Sequence, residues 1–308
     1  MIKINEVSIK DNLELVAKIK LINEGVTSTG NKFLSLQLED ETGIINAKIW
    51  NAEDCKLSLG TIYIFSGSGQ EYREKTQLII NQFREVNDGD KIDIDKFFKS
   101  APLNKQDIYA VIKDYVNTIE NEVISAITKT ILNRYSTEYM SYPAATQNHH
   151  SYISGLSFHT MTMLKMAERL LDLYTYLEKD YLYAGVVLHD FAKVIELSNS
   201  RAPEYTLEGK LIGHLVLGDE IILEVARELN YQDTEEVLLL RHMVLSHHGR
   251  KEWGSPQRPM IPEAEALHFI DNIDSKFEAI REAYTHTEVK SWTKRIPVLD
   301  GRSVYRHK

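Results

Sequence analysis

The run Phe33-Leu34-Ser35-Leu36-Gln37-Leu38-Glu39-Asp40-Glu41-Thr42-Gly43-Ile44-Ile45-Asn46-Ala47-Lys48-Ile49-Trp50 decides the first half of the fold. Leu34, Leu36 and Leu38 alternate with Ser35, Gln37 and Glu39, and a period of two belongs to a strand with one buried face. Asp40-Glu41-Thr42-Gly43 carries turn chemistry, and another strand follows at once. Working outward, residues 13–19 lean towards alternation, 61–65 and 77–80 are short β-forming runs, and 51–59 interrupt the series. About five strands over residues 1–90, closed on themselves, make a small barrel.

From about residue 104 the period changes to that of helices. Residues 107–132 carry apolar side chains at helical spacing with no Gly or Pro inside, and further helical stretches run over 156–173, 181–196, 210–229, 234–246 and 262–284. The chain thus reads as multidomain: a β-barrel over 1–90, a linker over 91–103, and an all-α bundle with a C-terminal tail over 104–308.

All eleven histidines lie in the helical half, and eight fall between His149 and His248. In order stand His159, His189-Asp190, His214, His247-His248 and Asp271, each on a predicted helix or at its end. Helices spaced in this way can project imidazoles and carboxylates into one cavity. Those donors, with no thiolate among them, suit Mn, Fe, Co, Ni or Zn. An adjacent His-Asp pair lets a carboxylate bridge two cations while its neighbour completes the shell of one. Lys193, one helical turn beyond Asp190, either faces the same cavity to stabilise phosphate charge or makes an ordinary salt bridge. His149 and His150 either line a phosphate path or serve structure. His242, His268 and His286 read as surface or core residues, and Asp274 as a partner to a ligand, a further ligand or a surface carboxylate.

The order H…HD…H…H…D, with Lys193 in the HD-x-x-K position, resembles the HD superfamily of metal-dependent phosphohydrolases over residues 150–275. That resemblance implies a two-metal site, with His159, His189, Asp190 and Asp271 on the first ion and Asp190, His214 and His247 on the second. His248 would be a further ligand or a substrate contact. A pair of such ions acidifies water and clamps the oxygens of an in-line displacement at phosphorus. Residues 38–50 likewise resemble the L-x-D-x-T/S-G-x-I-x-A-x-x-W run of OB-fold nucleic-acid binders. Phe33, Trp50, Tyr72 and Phe83 are then candidate stacking platforms, with Lys18, Lys20, Lys32, Lys48, Arg73 and Lys75 near them in sequence. The other reading puts Phe33 and Trp50 inside the barrel.

An OB-type barrel joined to an HD-type bundle at this length is similar to the YhaM-type 3′-5′ exoribonucleases. Asn148-His149-His150, Gly155-Leu156, Leu245-Ser246-His247-His248-Gly249, Gly254-Ser255-Pro256 and residues 263–274 carry that similarity. It implies manganese-favoured hydrolysis of single-stranded RNA, and in several members of single-stranded DNA, from the 3′ end, with release of nucleoside 5′-monophosphates. Two other functions stay in view: an HD hydrolase of small or cyclic nucleotides, and a nucleic-acid-binding protein with a vestigial site. No Gly-Tyr-Pro follows His247-His248, which weakens the cyclic-dinucleotide version, and the intact ligand set speaks against the vestigial one.

Composition bounds the partners. A net charge of −9 argues against a protein that coats nucleic acid through one basic face. The barrel residues 1–90 hold 10 Lys and Arg against 14 Asp and Glu, so any binding face there is local. One cysteine, Cys55, and the absence of an apolar leader or membrane span point to the cytoplasm. The basic, aromatic tail from Trp292 to Arg306 reads as solvated chain, or else as a contact to RNA or to a second copy in a homo-oligomer.

Overall fold

A computed structural model describes residues 1–308 apart from 11, 54, 74, 147–149 and 202, with the backbone alone at 88 and 95. The chain divides into two compact units, Met1–Lys99 and Ser100–Lys308.

In the first unit the strands are β1 (Leu13–Val26), β2 (Lys32–Asp40), β3 (Gly43–Trp50), β4 (Ile62–Tyr72) and β5 (Lys75–Glu85), closed into a barrel in the order β1-β2-β3-β5-β4. β1 is long enough to pair with both β4 and β2, and a register shift between Ile19 and Leu21 bends it from one to the other. Inside lie Leu34, Leu36 and Leu38 from β2 with Ile45, Ala47 and Ile49 from β3, as their alternation requires. Asp40 fixes the β2–β3 turn by accepting from Thr42 N (2.7 Å), Gly43 N (3.1 Å) and the Thr42 hydroxyl (2.6 Å), and its other oxygen accepts from Ile4 N at 2.8 Å.

Part of the expected linker turns out to be packed structure. Ile92, Ile94, Phe97 and Phe98 pack against Val16, Ile62 and Ile64 on the outside of the barrel, and Lys18 Nζ donates to the Phe97 carbonyl at 2.8 Å. Four large apolar side chains within seven residues favour burial over a solvated tether.

In the second unit the helices are α1 (Lys105–Asn117), α2 (Glu122–Arg134), α3 (Ser136–Ser141), α4 (Gly155–Leu173), α5 (Lys179–Leu188), α6 (Lys193–Glu196), α7 (Leu207–Leu211), α8 (His214–Glu228), α9 (Glu235–Ser246) and α10 (Pro262–Thr285). The periodic run 107–132 is therefore two helices. Asn121 caps the second by accepting from Ile124 N at 3.0 Å, while Asp180 Oδ2 accepts from the amides of Glu120 (3.0 Å) and Asn121 (2.7 Å). The run 181–196 also breaks, because the chain turns tightly after His189 through Lys193 N→Asp190 O and Val194 N→Phe191 O bonds. Residues 182–188 of α5 are buried on every side, as a helix at the centre of a bundle must be. Beyond α10, β6 (Ser291–Trp292) pairs with β7 (Tyr305–Arg306), and Arg306 Nη1 donates to the carbonyls of Tyr284 and Thr287 at the end of α10. The tail is thus folded rather than solvated chain. Among the described residues no helix is long and apolar enough to cross a membrane.

Candidate metal centre

The site is assembled where helices end. α5 stops at Leu188, so His189 caps it and Asp190 leads the turn beyond. α4 contributes His159 from its second turn, α8 begins with His214, α9 is capped by His247, and α10 carries Asp271 and Asp274 on one face. These parts come from five elements remote in sequence, yet their side chains converge. His159 is 1% exposed, and Asp190 3%.

Each imidazole has its tautomer set from behind. His189 Nδ1 donates to the Val186 carbonyl at 2.9 Å, and His247 Nδ1 to that of Val244 at 2.7 Å. His248 Nδ1 donates to Trp253 O at 2.9 Å, and His214 Nδ1 meets Glu196 Oε1 at 3.0 Å. A carbonyl can only accept, so the proton sits on Nδ1 and the Nε2 lone pair of His189, His247 and His248 is left to point inward. Asp190 lies among the inward faces: Oδ2 is 3.3 Å from His189 Nε2, and Oδ1 is 3.3 Å from His214 Nε2 and 3.7 Å from His247 Nε2. With the ring proton on Nδ1, Nε2 has none to give the carboxylate, so these approaches are not hydrogen bonds. His189 Nε2, Asp190 Oδ1, His214 Nε2 and His247 Nε2 are buried without a hydrogen-bond partner among the described residues.

Leaving a buried polar atom unpaired costs about 1–3 kcal/mol, so three unpaired imidazole nitrogens around one carboxylate, itself with an unpaired oxygen, call for a specific explanation. Divalent cations fit the donor set. His189, Asp190 and His247 place ligand atoms within 4.8 Å of one another, as do His159, His189 and Asp271, and His214, His247 and His248. The overlapping triplets match the residue types of a two-ion centre with shared ligands.

Asp274 belongs to the support of this centre rather than to its face. Its Oδ2 accepts from His159 Nδ1 and from His150 Nε2, both at 2.7 Å. Behind it, His150 Nδ1 is 2.9 Å from the Tyr152 hydroxyl, which donates to Glu278 Oε1 at 3.1 Å, and Arg281 grips Glu278 with two bonds. Burial favours neutral His159, but Asp271 and Asp274 outweigh it and push the imidazole up to about 10. Burial would raise Asp274, yet its two histidine partners hold it well below the usual carboxylate range. Lys193 Nζ donates to Asp190 Oδ2 at 2.6 Å. Burial opposes its charge, and Asp190 more than restores it, so the ammonium is retained.

The inward face opens into a cavity of about 350 Å³. Asp190, Lys193, His214, His248 and Asp271 line it, together with His268. His150 does not: it is buried behind Asp274, which corrects the expectation that it lines a phosphate path. His149 lies outside the described residues. His268, expected as a surface or core residue, donates to the His247 carbonyl at 2.9 Å and reaches the cavity. Glu196 was not anticipated as a partner of His214; its only signal in the sequence is its place one turn after Lys193.

On the barrel, Phe33 and Trp50 pair across β2 and β3, with ring centroids 5.4 Å apart, and Trp50 and Tyr72 are 45% and 49% exposed. Lys48 Nζ lies 4.9, 4.8 and 5.6 Å from the centroids of Phe33, Trp50 and Tyr72, and Arg73 stacks on Tyr72 at 5.3 Å. Gly25 sits against Phe33, where a Cβ would come within 2.4 Å of the ring. Phe83 instead packs edge-on against Tyr63 beside the barrel core. Lys18 and Lys20 are occupied by Glu39, at 3.0 and 2.8 Å.

Comparison with known proteins agrees with this architecture. The HD domain family matches residues 156–276, and the family described as OB-fold nucleic acid binding domain (tRNA anti-codon) matches 14–86. A 3′-5′ exoribonuclease YhaM from Bacillus pumilus is 41% identical over 299 residues, covering 96% of this chain and 95% of that protein. Two structures of an OB-fold domain of replication protein A from Methanococcus maripaludis, one from crystals and one from solution NMR, are each 23% identical. They cover 28% of this chain and 93% of the domain, with TM-scores of 0.26 and 0.24. Identity at that level along nearly the whole of both chains, with barrel and bundle each matched in place, makes this chain a member of the YhaM family of 3′-5′ exoribonucleases.

Proposed function

We propose that the protein is a metal-dependent exoribonuclease that binds single-stranded RNA, accepts its 3′ end in the HD cavity and releases nucleoside 5′-monophosphates. The observation that carries this reading is the set of four buried ligand atoms without a hydrogen-bond partner among the described residues, His189 Nε2, Asp190 Oδ1, His214 Nε2 and His247 Nε2, beside a nucleotide-sized cavity. His159, His189, Asp190 and Asp271 would hold one cation, and Asp190, His214 and His247 a second, with His248 adjoining. Bound divalent cations supply Lewis acidity, neutralising the phosphate and making water a stronger acid. Imidazole and carboxylate donors without thiolate suit Mn, Fe, Co, Ni or Zn, and among these we favour manganese on the resemblance to the YhaM-type exoribonucleases.

The chain's own contribution is orientation and charge. Lys193, fixed by Asp190, presents an ammonium to the phosphate oxygens as negative charge builds. Glu196, Asp274 and the Val186 and Val244 carbonyls hold the imidazoles in register. Water oxygen bonds to the terminal phosphorus, the bond from phosphorus to the upstream 3′ oxygen breaks, and that oxygen leaves with a proton. Phe33, Trp50 and Tyr72 would stack bases of the same strand or of single-stranded DNA. A single cysteine fits a cytoplasmic setting.

End-labelled single-stranded RNA incubated with the protein and Mn²⁺ tests the proposal, with Asp190→Asn in parallel. Stepwise shortening from the 3′ end, absent in the variant and stopped by a 3′-blocking group, is expected. Internal cleavage, or hydrolysis of free nucleotides alone, would overturn it.

A further inference from the structure

The cavity lined by the candidate metal ligands also presents two aromatic side chains that the packing of the bundle does not explain. Trp253 is 48% exposed and Tyr205 45%, neither belongs to the apolar core, and both line the cavity that Asp190 and His214 line. Single exposed aromatics are common on protein surfaces. Two that line one cavity together with Asp190, His214 and Asp271 are not scattered in that way.

Both rings are held on pinned backbone. The Trp253 carbonyl accepts the His248 Nδ1 proton at 2.9 Å, tying the indole's residue to the metal face. The surrounding loop closes through Gly254 N→Lys251 O (3.0 Å) and Ser255 N→Arg250 O (3.3 Å), with Gly254 at φ +99°. The indole packs 6.0 Å from His268, and the Arg250 guanidinium lies 4.8 Å from its centroid. Tyr205 is bridged to Leu197, and Ser198 N donates to Glu204 O at 2.9 Å, so its backbone is anchored just past the helix that bears Lys193 and Glu196. Ala144 and Ala145 add small side chains to the lining, and Asn272 and Ser275 offer polar groups from the helix of Asp271.

An exonuclease that works along a strand must accept every base at its end. Stacking does this, because every base has a π-face, whereas hydrogen bonds to a base edge would discriminate. We propose that Trp253 and Tyr205 form a stacking subsite for the nucleobase of the 3′-terminal nucleotide, which sets the terminal phosphate at the metal centre without reading sequence. This rests on the exoribonuclease function proposed above and specifies where its substrate is gripped.

The test compares RNA with an intact 3′-terminal nucleotide against the same strand ending in an abasic nucleotide. In the wild-type protein with Mn²⁺, kcat/KM for the intact end should exceed that for the abasic end by about tenfold, carried mainly by KM. Trp253→Ala and Tyr205→Ala should each pull that ratio towards one, and Trp253→Phe should restore it. A variant that is merely unstable lowers both rates and leaves the ratio intact, so Tyr205→Ala decides the matter should Trp253→Ala fail to fold. A second readout needs no turnover: RNA ending in 2-aminopurine, added to the chelator-treated protein, should be quenched on binding, and less so by either alanine variant. A ratio and a quench that neither substitution moves would overturn the subsite while leaving the exoribonuclease standing. A wild-type protein that does not shorten RNA from its 3′ end would overturn both.

Discussion

Asp274 shows how a residue that touches no substrate can govern a metal site. It accepts from His159 and His150 through a single oxygen, and it is kept ionised by both. Replacing it with Asn preserves shape but removes the charge that orients His159, and loss of such a partner typically costs 10–100-fold in metal affinity or activity. Asp274→Asn should therefore weaken Mn²⁺ binding by about that range, measured by calorimetric titration, with the fold retained by circular dichroism; unchanged affinity would remove Asp274 from the support of the site. His159 gives a pH prediction. Its folded value of about 10 lies above the ordinary 6.5, so its contribution to stability in the metal-free protein is complete below 6.5 and is lost as pH rises through 10. A ligand histidine must be neutral, so metal binding at pH 8 displaces this proton. Calorimetry in buffers of different ionisation enthalpy should detect release of about one proton at pH 8, absent in His159→Gln, and apparent affinity should climb with pH towards 10.

At the level of elements, the ends of helices matter more than their lengths. His247 and His248 close α9, and Gly249 follows with φ +77°, where a Cβ would come within 2.4 Å of the His268 ring. Gly249→Ala faces both the left-handed backbone and that clash, so we expect at least about 1 kcal/mol of destabilisation and a fall in kcat, seen by melting and by turnover; a variant as stable and active as the wild type would refute it. This also explains what the sequence discloses. The barrel is legible because alternation in β2 and β3 and the turn at Asp40 are local signals, and the ligands because the histidines keep their order along helices of the expected period. The breaks at residues 118–121 and after His189 are not legible, since tertiary hydrogen bonds to Asp180 and the tight turn at Asp190 override good helical spacing. Glu196, His268, Tyr205 and Trp253 escape for another reason: nothing in their neighbours marks them until folding brings them to one cavity.

For the whole molecule, the question is how a protein of net charge −9 holds a polyanion. The answer we favour is local: the barrel offers one patch, Phe33, Trp50 and Tyr72 grouped about Lys48, while other lysines such as Lys18 and Lys20 are paired with Glu39. Grip through rings rather than a broad basic face implies weak dependence on salt, since each phosphate contact on a single strand contributes only about −0.7 to the slope of log K against log salt. Binding of a long single-stranded RNA to the chelator-treated protein should thus show a shallow slope, and Lys48→Gln should flatten it further by about 0.7 if its ammonium meets a phosphate. Trp50→Ala should act differently, lowering affinity about tenfold at every salt concentration and leaving the slope alone, because a stack releases no counterions. Its ratio of kcat/KM for the long strand over a dinucleotide should fall by the same factor. A steep wild-type slope, or a Trp50→Ala effect that disappears at high salt, would show that charge spread over the surface, not this patch, holds the strand.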